Sequence, residues 1–189
     1  TGYFKTSWDG GQITPSMGKA TVTNPNSTIA WGALYWQYFE QLDKITPAES
    51  PLKVSKRLFR EVNTATGPVL EAITESKPVS VGDRVIVRVE LRSDRDMEYI
   101  HLKDMRAAGF EPVDVLSTYH WQDGLGYYQS TRDASSNFFI SYLPKGTYVF
   151  EYKLNATQKG TFSNGITSVQ CMYAPEFAAH SEGIKVRIE

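Results

Sequence analysis

The sequence predicts a mainly β protein: an antiparallel, Ig-like β-sandwich with an additional N-terminal β segment. Three observations carry this. Short runs of β-branched and aromatic residues recur through residues 52–189, each bounded by Gly, Pro, Asn or Asp. Residues 84–92 alternate with period two, setting Val85, Val87, Val89 and Leu91 against Arg84, Arg88, Glu90 and Arg92, the pattern of a strand with one wet face. The third is the succession YYQSTRD, FFISYLPKGTYVFEY, MYAPEF, SEG and IKVRIE near the C-terminus, strand-like runs broken by turn residues and by Pro175, which cannot extend a ladder.

Taken in order, residues 29–39 hold Trp31, Leu34, Tyr35, Trp36, Tyr38 and Phe39. They predict a strand apolar on both faces, which must be central and covered because an exposed edge of that kind invites aggregation. The tract TPAESP at 46–51 has two prolines and no large apolar residue, and predicts a linker between a unit at 1–45 and a sandwich at 52–189. Residues 52–62 read as a strand, although Val54, Leu58 and Val62 also fit a helical stripe. Further strands are predicted at 69–74, 99–104, 113–119, 166–173 and 184–188. Residues 148–154 alternate Tyr148, Phe150, Tyr152 and Leu154 against Val149, Glu151 and Lys153. Their expected hairpin partner is 138–142, reversed through Pro144 and Gly146. Seven to nine strands at this spacing fit a sandwich.

Composition narrows the function. Twenty Lys and Arg against 21 Asp and Glu, well mixed, leave a formal charge of −1, which lacks the electrostatic footprint of a nucleic-acid binder. No run reaches the roughly 18 apolar residues of a membrane helix. The single cysteine, Cys171, forms no intrachain disulfide and reads as a buried thiol. The start on Thr1 rather than Met is read as that of a fragment.

Candidate chemistry is sparse. His101, His120 and His180 lie far apart in sequence with no GxSxG elbow, and neither HExxH nor paired Cys predicts zinc. Asp94, Asp96 and Glu98 imitate the opening of a calcium loop, but Tyr99 stands where such a loop needs Gly, so a solvated turn is expected. Gly124 and Gly126 precede no helix pattern and make no phosphate cradle. Tyr119, Trp121, Tyr127 and Tyr128 read either as a ligand platform or as strand-end core. Met172, Tyr173, Pro175, Glu176 and Phe177 read either as a docking knob of soft and aromatic surface or, for the first two, as core.

The C-terminal tracts, together with VGDRVIVRVELRSDRDMEYIHLKDMRAAGFEPV at 81–113, resemble the last domain of the bacterial alpha-2-macroglobulin family. Residues 13–45 resemble what precedes that domain in the Bacteroidetes-type members. The resemblance implies a macroglobulin-type sandwich at 52–189 and the C-terminal half of a split, CUB-like β-domain at 1–45. It also implies a non-catalytic role in a protease trap: the last domain packs against the thioester-type helical domain of the same polypeptide and shields it, with 172–177 as the interdomain contact. Cys171 is followed by Met172, Tyr173 and Ala174, so the family's Cys–Gln thioester motif is not formed here, and no cofactor is implied. The expected partners are the other domains of the parent, target proteases reached through it, and a second copy of the isolated chain. The expected location is the cell envelope, with the parent periplasmic or anchored as a lipoprotein. The rival reading is a cell-surface adhesin or carbohydrate-binding module, against which stands the lack of an internal repeat.

Overall fold

The computed structural model describes residues 2–74 and 76–189. They fall into two compact units, Thr1–Tyr38 and Phe39–Glu189.

The first unit contains two 3-10 turns, Gly10–Gln12 and Pro15–Gly18. The first is closed by a capping box between Asp9 and Gln12, and the second is started by Pro15, whose fixed φ suits that position. The expected strand at 29–39 does not form, and Trp31, Tyr35 and Phe39 are 94%, 81% and 107% exposed. β-propensity largely measures packing on a sheet, and this run has no ladder partner, so its composition produces no strand.

The second unit is built from thirteen strands among the described residues: β1 Leu52–Thr64, β2 Gly67–Ala72, β3 Arg84–Ser93, β4 Met97–Met105, β5 Phe110–Pro112, β6 Thr118–Gln122, β7 Leu125–Thr131, β8 Ser135–Leu143, β9 Gly146–Ala156, β10 Gly160–Ser163, β11 Thr167–Cys171, β12 Ala178–His180 and β13 Lys185–Ile188. One sheet runs β2-β1-β3-β9-β5, a second β12-β11-β4-β8-β7-β6, and β10 pairs with β13. All strand pairs are antiparallel. The fold class is the expected one, an antiparallel sandwich.

The alternation at 84–92 is realised in β3. Val85, Val87, Val89 and Leu91 are fully buried and face the inward residues of the second sheet in one continuous core. Across that core Phe138 of β8 and Phe150 of β9 meet at 5.1 Å between ring centroids, and Tyr127 reaches Phe150 at 5.4 Å. On β3's outer face Arg88 bonds Glu151 at 2.5 Å and lies 4.8 Å over the ring of Phe59. The ambiguous 52–62 run is a strand, with Leu52, Val54, Lys56 and Leu58 all turned inward.

Three expectations are corrected. Residues 138–142 and 148–154 are not a hairpin, because β8 and β9 lie in opposite sheets. Pro144 removes the N–H that a two-residue hairpin turn would use, and the segment is an inter-sheet corner. No strand spans 113–119, because β5 and β6 also belong to opposite sheets and the chain leaves the ladder to cross between them. The N-terminal β segment is absent from the described residues, as above. The expected linker at 46–51 lies within the second compact unit. Ala48 exchanges two backbone hydrogen bonds with His180, at 3.1 and 2.9 Å, and Gly183 donates to the Ile45 carbonyl at 2.9 Å. The backbones approach so closely there that a Cβ on Gly183 would stand 1.8 Å from the Leu42 carbonyl oxygen.

The β6–β7 loop has φ 53° at Asp123 and 74° at Gly124, the left-handed pair that a tight hairpin favours. Its side chains cover part of the β9 edge that β5 leaves open. Val149 N–H donates to Asp123 at 2.7 Å and Glu151 N–H to Gln122 at 3.3 Å, which blunts an edge otherwise open to pairing.

Replacing Phe138 with Ala is expected to cost about 3–5 kcal/mol in urea unfolding, against less than about 1 kcal/mol for Arg88→Ala, whose ion pair is half exposed. Comparable losses at the two positions would mean that Phe138 does not sit in the core or that Arg88 does not lie on the outer face.

Candidate interdomain contact site

β11 ends at Cys171, and the next six residues form a closed loop. Cys171 N–H donates to the Phe177 carbonyl at 3.0 Å, and Phe177 N–H to the Ala174 carbonyl at 2.9 Å. With Pro175 inside that closure the chain turns outward. Met172 and Tyr173 stand 55% and 79% exposed, so neither is a core residue. Pro175 and Glu176 are exposed as well. Phe177 is half-buried against the core, with the Arg95 guanidinium 5.4 Å over its ring.

Tyr99 supports this loop. It has φ 55° inside β4, a conformation uncommon for a bulky residue and a pointer to a functional constraint. The twist lets both Met97 and Ile100, three apart, turn inward. It also sends the Tyr99 ring outward, where it meets Tyr173 edge-on at 5.1 Å and 86°. Met172 N–H donates to the Tyr99 carbonyl at 2.9 Å. Tyr99 and Tyr173, together with Asp96, Glu98 and Tyr142, line an open depression of about 430 Å³ that also takes in Met97 and Cys171. Its character is soft and aromatic, a surface suited to contact.

Asp96 fixes the rim. Its carboxylate accepts the Lys145 N–H at 2.7 Å and the Tyr142 hydroxyl at 3.0 Å. Those two bonds, the backbone one first, hold Asp96 below the ordinary carboxylate range, and the same Tyr142 bond pushes that phenol up. Asp94 is engaged elsewhere, with Arg95 at 2.8 Å, so the calcium-loop imitation does not converge. The Cys171 thiol is buried and contacts the Glu98 carbonyl oxygen at 3.3 Å.

The other sequence candidates are dispersed. His101 stacks on Phe139 at 4.8 Å and bonds Asn137, His120 stacks on Tyr127, and His180 contacts the Ser181 carbonyl. Of the aromatic loop, Tyr127 is core, while Tyr119, Trp121 and Tyr128 are exposed. Tyr119, Tyr128, Phe139 and His101 are cross-strand neighbours in turn, so they form one row on the outer face of the second sheet.

Sequence reasoning missed Tyr99, Tyr142 and Asp96 as parts of the site. The available signal was the three-residue spacing of Met97 and Ile100, which breaks period two.

A family model described as the bacterial alpha-2-macroglobulin MG10 domain matches residues 52–176. The chain belongs to that family. The match takes in β1 through β11 and most of the loop. Among solved structures, a mutant Salmonella alpha-2-macroglobulin matches with a TM-score of 0.60 at 16% identity, over 77% of this chain and 10% of that one. Elastase-activated Escherichia coli alpha-2-macroglobulin gives 0.61 at 17%, over 77% and 14%. The native E. coli protein from domain MG7 to its C-terminus gives 0.58 at 14%, over 76% and 24%. At these identities the likeness is one of fold. A curated relative, "Circularly permutated Ras protein 2" of Dictyostelium discoideum, is 26% identical over 110 residues, 58% of this chain and 3% of that protein. The chain thus spans a small part of the proteins it matches.

Because the folded carboxyl of Asp96 sits below its unfolded value, its stabilisation is present above the unfolded carboxylate range and is lost as pH falls through the folded value. Asp96→Asn is expected to flatten the acid side of the stability–pH profile, measured by denaturant midpoints across that range. An unchanged profile would mean the rim bonds carry no weight.

Proposed function

We propose that this chain is a non-catalytic domain of a bacterial alpha-2-macroglobulin-like endopeptidase inhibitor. In that role the 172–177 loop packs against the thioester-type helical domain of the same polypeptide and shields it. The observation that carries the reading is the exposed ledge of Met172 and Tyr173, braced by a left-handed Tyr99. A rigid aromatic projection of this kind excludes water from whatever it covers, and such anchors dominate interface energies. In this reading target proteases meet the domain only through the parent, which resides in the cell envelope as a periplasmic or lipid-anchored protein.

The test is a binding titration between this chain and the separately produced thioester-type domain of its parent. Tyr173→Ala is expected to weaken binding roughly 30-fold, as for a hot-spot aromatic, while Trp121→Ala on the outer sheet face leaves it unchanged. Equal affinities for wild type and Tyr173→Ala would sink the proposal.

A second reading, a carbohydrate-binding or adhesive module, draws on the exposed row of Tyr119, Tyr128 and Phe139. It is expected to show as glycan binding lost in Tyr128→Ala and kept in Tyr173→Ala. Self-association of the isolated chain draws on the exposed aromatics of 29–39. Sedimentation with and without residues 1–38 distinguishes a dimer that depends on that segment from a monomer.

A further inference from the structure

We propose that Lys56 and Asp104 become joined by a side-chain amide bond, a covalent link between the two sheets of the sandwich. Lys56 is on β1 and Asp104 on β4, so the pair spans the core. Lys56 Nζ lies 2.6 Å from Asp104 Oδ1, with the two side chains 1% and 0% exposed. The Thr167 hydroxyl donates to the same oxygen at 2.6 Å, and the Tyr152 hydroxyl donates to the other. The Met105 carbonyl accepts from Nζ at 2.5 Å.

This arrangement supplies what an amide condensation needs. The nitrogen is held 2.6 Å from an oxygen of the carboxyl group it would attack, which replaces a bimolecular encounter by a fixed approach. Two hydroxyl donors draw electron density from the carboxyl group and are placed to hold an oxyanion. Burial pushes Lys56 below the ordinary lysine range against the pull of Asp104, and it keeps the Tyr152 phenol protonated. Attack requires the neutral amine, which forms when the Lys56 ammonium passes one proton to the carboxylate it touches. The amine lone pair then attacks Asp104 Cγ. The C–N bond forms, one C–O bond breaks, and the departing oxygen takes two of the three ammonium protons away as water. Charge balances, and neither oxidant nor activating co-reactant is required. Once the released water has escaped from the core, the reverse hydrolysis lacks its reagent, because the pair is shut off from bulk solvent.

The full 189-residue chain, purified and completely denatured, is expected to have an intact mass one water below that of its sequence. Proteolysis is expected to release a branched peptide containing both residues. Lys56→Arg and Asp104→Ala are each expected to restore the sequence mass. Succinimide formation at Asp123–Gly124 also loses water, and it would persist in both variants and map to another peptide. A wild-type chain at the unmodified sequence mass overturns the proposal, and so does a deficit that survives Lys56→Arg. The wild-type measurement stands even if a variant fails to fold.

Discussion

The two sheets face each other through an apolar core that holds the buried ionic contact of Lys56 with Asp104. Four strands converge there, two from each sheet: Lys56 from β1 and Tyr152 from β9, Asp104 from β4 and Thr167 from β11. Apolar packing is non-directional and tolerates sliding, whereas this cluster does not. A one-residue slip of β1 or β4 would turn a charge outward and leave its partner buried alone, at several kcal/mol. Lys56 also donates to the Met105 and Asn164 carbonyls, so the loops leaving β4 and preceding β11 are positioned by the same ammonium.

That anchor reaches the exposed ledge through two strands. β4 runs from Asp104 back to Tyr99, and β11, paired with it, runs from Thr167 to Cys171. The fixed ends of both strands lie at the buried cluster, and their other ends carry the two rings that meet at the surface. A contact loop held by paired strands loses less freedom on docking than a free one, which favours binding without any added contact.

The legible parts of the sequence were those where a single local rule decides the outcome. The period-two run of β3 was read correctly because every inward position is apolar. β1 is ambiguous because Val54, Leu58 and Val62 also fit a helical stripe, and the inward Lys56 hides its strand alternation, since its burial makes sense only with Asp104 opposite, 48 positions away. The corner at Pro144 and the crossing at 113–119 look like hairpin and strand locally. Only the global strand order shows that the chain changes sheets at both. The 29–39 run fails for the complementary reason, since propensity without a pairing partner builds no ladder. Of the site, the Pro-broken loop was visible, and the resemblance marked its residues. The brace was not, because a left-handed Tyr leaves no mark beyond a disturbed spacing.

The interleaved strand order also bears on how the chain is made. Lys56 and Asp104 leave the ribosome well before Thr167, which lies 63 positions after Asp104. At about 5–20 residues per second that is a delay of roughly 3 to 13 s. At its start β3 lacks β9 and β4 lacks β8, and throughout it β4 lacks β11, so the second sheet cannot close over the ionic cluster. The β3 edge stays open until β9 emerges and one β4 edge until β11 does, and these are the parts of the nascent chain that a holding chaperone has to cover.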